Sequence, residues 1–131
     1  MSKYLKKPVD SANFASNNPL RTGATPDDPL VSDGAVIAGD TTTSSGAGAV
    51  AITGAIHEIT TTGADALTLA DCTEGQVLRI VMVADGGNGT LTPSNLAGGT
   101  TITFNDVGDA VTLLFTNSNW FIVGQNGVTV A

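Results

Sequence analysis

Charge is the scarcest commodity in this chain. Only 13% of its 131 residues are Asp, Glu, Lys or Arg, against roughly 25% in ordinary globular proteins. Such a thin charged coat points to a protein that rests against other protein surfaces rather than standing free in water. Cysteine occurs once, at Cys72, so no intrachain disulfide can form. Histidine also occurs once, at His57. A structural zinc site takes about four Cys or His ligands, so one protomer cannot build it; only a ring of His57 around a trimer axis remains. Aromatics reach 5%, too few for a sugar platform or a base-stacking sheet. The longest apolar run lies within "VLRIVMVA", far short of the ~20 residues of a membrane helix. The start, "MSKYLKKPVDSANFASNNPL", is basic but lacks the apolar core of a secretory signal. These absences describe a soluble protein assembled in a reducing compartment, with no membrane partner.

Gly, Thr, Ala, Asn and Val fill the space that charge leaves, and helix formers such as Lys, Glu and Gln are scarce. That composition argues for an all-β chain with many tight turns. The charge that exists is unevenly placed. Lys3, Lys6, Lys7 and Arg21 face only Asp10 in the first 21 residues, a net of +3. Beyond them Arg79 stands against eleven acids, and the whole chain carries −7. An acidic body repels phosphate, so nucleic acid is not an expected partner. The basic start suits an acidic neighbour instead.

Residues 1–48 read as an extended N-terminal arm and linker. Pro8, Pro19, Pro26 and Pro29 fall here, followed by the small-residue stretch "GDTTTSSGAGA". Two readings stay open: a solvating tail, or an arm that orders on a partner through the spaced apolar residues Tyr4, Leu5, Phe14, Leu20 and Leu30. Residues 49–131 read as a compact antiparallel β-sandwich or barrel. Its strands are "AVAIT" (49–53), "AIHEITT" (55–61), "ALTL" (66–69), "QVLRIVMVA" (76–84), "GTLTP" (89–93), "TITF" (101–104), "AVTLLFT" (110–116), "WFIVG" (120–124) and "GVTV" (127–130). Turn clusters such as "TGAD", "DGGNG" and "TNSN" separate them. "LTLADCTEGQVLRIVMV" and "ITFNDVGDAVTLLFT" echo one another as strand, acidic Gly-bearing turn and longer apolar strand. Two copies are fewer than a solenoid needs.

Some strands are apolar on both faces. Val111, Leu113 and Phe115 share one face of their strand and Leu114 adds to the other; Trp120 and Ile122 oppose Phe121 and Val123. A half-solvated strand would alternate with polar residues. In so small a body the second cover is expected to be another subunit. Val111, Leu113, Phe115, Trp120 and Ile122 are therefore candidates for the core or a trimer interface.

Reactive groups form no recognisable constellation. His57 and Cys72 could serve a small hydrolase, yet no nucleophile elbow supports them. Glu58 follows His57, but neighbours in a strand point to opposite faces. "DGGNGT" begins like a calcium-binding β-roll turn, with Leu91 where an aspartate is needed. Asn105, Asp106 and Asp109 lack the distal glutamate of an EF-hand. Phosphate-loop patterns are absent. No metal, cofactor or catalytic residue is expected.

One resemblance adds to this. "LTL", "EGQVLRIV", "GTLTPSNLAGGTTITF" and "VGDAVTLLFTNSNWFIVG", spanning about 66–126, resemble a β-domain of structural proteins in tailed bacteriophages. The domain occurs in head decoration (cement) proteins and in tail-fibre or tailspike proteins. The size and the basic arm resemble the decoration proteins more. That likeness implies a homotrimer on the capsid exterior, assembled in the host bacterial cytoplasm, that staples major capsid protein subunits together. Lys3, Tyr4, Lys6, Lys7, Phe14 and Arg21 would make the arm's capsid contacts. The alternative is a tail-fibre or tail-tip module that binds a host surface glycan.

Overall fold

From Thr41 onward the chain steps back and forth between two sheets. β3 (Thr41–Ser45) lies in the first sheet and β4 (Gly48–Ala49) in the second. β5 (Ile56–Thr60) returns to the first, β6 (Asp65–Leu69) goes to the second, and β7 (Val77–Ala84) and β8 (Gly89–Pro93) repeat the cycle. The computed structural model describes residues 40–131, plus the backbone of a short antiparallel pair, β1 (Leu30–Ser32) and β2 (Ala35–Ile37). Among these residues there is no helix.

The remaining strands close the body. β9 (Ile102–Phe104) pairs with β8, β10 (Ala110–Thr116) with β7, β11 (Asn119–Asn126) with β10, and β12 (Thr129–Val130) with β9, all antiparallel. The first sheet then runs β11-β10-β7-β5-β3 and the second β12-β9-β8-β6-β4.

The all-β expectation agrees with this architecture, but the antiparallel one needs correction. β3, β5 and β7 run parallel, as do β4, β6 and β8. A parallel neighbour can be reached only through a crossover, and here each crossover is a strand of the opposite sheet. The first half is therefore a flattened coil of three turns. The segment read as linker supplies the first of them: "TTTSS" is β3 and "GA" is β4. Conversely, "AVAIT" is a strand only at Ala49. Val50 turns into the core at 4% exposure, and the chain then bends back to β5.

The core fills the space between the sheets. Ile59, Leu78, Ile80, Met82, Val111, Leu113 and Trp120 come from the first, and Leu67, Leu69, Leu91, Ile102 and Phe104 from the second, each at 2% exposure or less. Phe115 joins them at 4% and meets the Trp120 ring edge-on, centroids 5.1 Å apart. The indole N–H donates to the Ala70 carbonyl at 3.1 Å, so burial leaves no orphan donor. Trp120 also exchanges backbone hydrogen bonds with Asn95 and Ala97, which tie β11 to the connection between β8 and β9. Ile122 packs at the edge of the same cluster. One bulge interrupts β11: Thr112 opposes Gly124 while Leu113 opposes Ile122, which leaves Val123 unpaired and 57% exposed. The β10–β11 turn has Asn117 and Ser118 both at positive φ, 52° and 59°, as a two-residue hairpin of the twist-matched kind requires.

Successive turns of the coil touch backbone to backbone. The Gly86 N–H donates to Thr61 Oγ1, and a Cβ at Gly86 would sit 2.4 Å from the Thr61 carbonyl oxygen. At Gly87 it would meet Gly63 backbone at 2.7 Å. Only glycine lets these turns approach so closely. Gly86→Ala is expected to cost about 1–3 kcal/mol through overpacking. Gly63→Ala, where an added Cβ meets nothing within 4 Å, should stay within about 0.5 kcal/mol. Trp120→Ala should cost about 3–5 kcal/mol. Urea midpoints at fixed slope measure all three.

Candidate interaction surfaces

The groups with chemical potential are absorbed by structure. His57 faces inward from β5 at 1% exposure. Its Nδ1 lies 2.7 Å from Thr42 Oγ1 and its Nε2 2.9 Å from Ser44 Oγ. Thr42 Oγ1 also donates to the Ile56 carbonyl at 3.3 Å. The set is satisfied when Nδ1–H donates to Thr42 and Nε2 accepts the Ser44 hydroxyl proton. His57 thus staples edge strand β3 to β5. Its ring nitrogens go to Thr42 and Ser44, not to Cys72, and its burial rules out a ring on an oligomer axis. Desolvation holds its pKa below the ordinary 6.5, with Glu58 opposing weakly.

Cys72 packs against the core rim. Burial and the neighbouring Asp71 push its thiol pKa up, the opposite of what a nucleophile needs. The acids serve turns. Asp109 Oδ2 accepts the N–H groups of Asn105 and Asp106 at 2.7 and 3.1 Å, and Asp85 Oδ1 accepts that of Gly87. The Glu74 carboxylate accepts the N–H groups of Ser118 and Asn117 and the Thr116 hydroxyl. Those amides hold it below the usual carboxylate range and clasp the β10–β11 turn. No three potential metal ligands cluster among the described residues. The open depression over Ala110–Thr112 and Gly124–Asn126 measures about 240 Å³, below the range of small-molecule sites.

What the body offers instead is the outer faces of its two sheets. On the second sheet, Thr129, Thr103, Thr90 and Ala66 stand in one row across four strands, with Thr92 and Thr68 in the next. No charged side chain interrupts these positions. On the first sheet, Leu114 stands between Val77 and Phe121, and Val81 between Glu58 and Ala110. Val77 is 38% exposed and Val83 43%, while Leu114, Phe121 and Val81 are half-buried. Arg79 projects here, between Ile56 and Thr112.

Of the sequence-derived candidates, Val111, Leu113, Phe115 and Trp120 lie in the core and Ile122 at its rim. Lys3, Tyr4, Lys6, Lys7, Phe14 and Arg21 fall outside the described residues. The sequence reading missed Thr42 and Ser44 as partners of His57, and Glu74 as a clasp. An alternating hydroxyl pair in "TTTSS" was the available clue to the first. No protein-family model matches the chain, and no curated protein does either.

The His57 staple has a pH signature. The folded pKa is depressed, so below about 6.5 the unfolded chain takes a proton that the folded one resists. Stability is full above that pH and falls as pH drops toward the folded value. The melting temperature should therefore decline from pH 7.5 to pH 5 more in the native protein than in His57→Gln. Thermal unfolding across that range, followed by circular dichroism, is the measurement.

Proposed function

We propose that the chain is a structural virion protein. It decorates a phage capsid as a homotrimer, binds the outer surface of the major capsid protein shell and stabilises it. The observation that carries this reading is the pair of outer sheet faces, one hydroxyl-rich and uncharged, the other half-apolar, on a body whose histidine and turn carboxylates Glu74, Asp85 and Asp109 are spent on internal hydrogen bonds. The likeness of residues 66–126 to phage β-domains supports it; that stretch runs from the second residue of β6 to the end of β11. Adhesion rather than turnover is then the activity. Many weak contacts to several capsid subunits act together, and effective concentration multiplies them. The glycan-binding alternative would want exposed aromatic platforms. Among the described residues Trp120 and Phe104 are fully buried, Phe115 nearly so, and Phe121 alone reaches an outer face, half-buried.

In this reading the basic arm meets an acidic capsid neighbour while the body holds the trimer. Deleting residues 1–30 should leave the body's oligomeric state intact and weaken capsid binding at least tenfold, more so at low salt. Co-sedimentation with capsids, alongside analytical ultracentrifugation of the free protein, tests it. Capsid affinity unchanged by the deletion would remove the arm from the mechanism.

A further inference from the structure

The outer face of the first sheet combines two features that do not suit water. One of its rows is apolar where a solvated face would be polar: Val77, Leu114 and Phe121 abut across three strands, and Val81 stands two rows away, beyond Arg79. Within it stands Arg79, the one Lys or Arg between residues 40 and 131, against eight Asp and Glu in the same span. Glu58 is its diagonal neighbour on the adjacent strand, since Ile56 opposes Arg79 and Glu58 opposes Val81. Yet among the described residues no carboxylate lies within salt-bridge distance of Arg79.

We propose that this face is the surface through which copies of the chain associate, with Arg79 of each copy against Glu58 of the next. The inference rests on the self-associating reading above and names its surface. An acidic body repels its own copies nearly everywhere. Here alone in the body a cation is presented, and a carboxylate accompanies it on the same strip. A face with one charge of each sign side by side is complementary to itself, which is what repeated contacts between identical subunits require. Val77, Leu114, Phe121 and Val81 supply the apolar area, and the charge pair fixes the orientation. A foreign partner with a carboxylate would also fit Arg79, but would leave Glu58 against nothing.

The test is sedimentation of the purified full chain over a range of concentrations, with Arg79→Glu, Arg79→Gln, Glu58→Arg and the exchanged pair Arg79→Glu/Glu58→Arg. Both residues point away from the core, and the near-ultraviolet signal of Trp120 checks that each variant is folded. Arg79→Glu and Glu58→Arg should each raise the dissociation constant at least about tenfold, and Arg79→Gln less. The exchanged pair should recover most of the loss. Association unaffected by Arg79→Glu, or an exchanged pair no better than the single variants, overturns this surface while leaving the oligomer in place. A native chain that stays monomeric throughout overturns the surface and the trimer together. Capsid co-sedimentation of the same variants reports on the decoration role separately.

Discussion

Backbone contact between successive turns of the coil is the constraint on which the rest of the structure depends. Thr61 and Gly63 lie under Gly86 and Gly87 with no room for a side chain between them. That contact brings β6 and β8 together in the second sheet and β5 and β7 in the first, in fixed register. The register then points Ile59, Leu67, Ile80 and Leu91 at one another, and the antiparallel strands close over the core they begin. A one-residue slip would turn each of these side chains outward. The small residues that made the chain look like a turn-rich sandwich are thus the parts that let a coil form.

Much of the local structure was legible. β8 and β10 coincide with "GTLTP" and "AVTLLFT", because alternation, β-branched residues and flanking turns all agree there. Direction was not legible. "TGAD" and "DGGNG" have the composition of hairpin turns, and nothing in that composition says whether the chain folds back in the same sheet or crosses to the opposite one. The first coil was missed for a different reason. β3 sits at a sheet edge, and its inward residues Thr42 and Ser44 answer a buried histidine, not an apolar core. Hydrophobic periodicity cannot find a strand whose inner face is polar. The same periodicity did reveal that β10 and β11 are apolar on both sides, but not which side is core. Burial assigns Val111, Leu113 and Phe115 inward and leaves Leu114 and Phe121 on the outer face.

The polar groups follow a consistent economy. His57, Asp109, Glu74 and Asp85 each satisfy backbone or hydroxyl partners within the chain. They rigidify turns and edges and leave the threonine face free of charge and the other with Arg79 and Glu58 among its apolar residues. A surface built that way loses little on desolvation, whereas a densely charged one would surrender hydration at every contact. The two faces differ in kind: threonine rows keep some polarity, and the valine-leucine-phenylalanine rows keep almost none.

The isolation of Arg79 has a consequence for proteolysis. Trypsin cleaves after lysine or arginine, and beyond residue 40 this is the only such position. It lies in the middle of β7, paired on one side with β5 and on the other with β10. A protease must draw several residues of extended backbone into its cleft, and those residues are free only when the first sheet has come apart. Cleavage of the body at Arg79 therefore tracks opening of the whole β-structure and not fraying at its edges. The protein carries its own reporter of global unfolding in a single peptide bond.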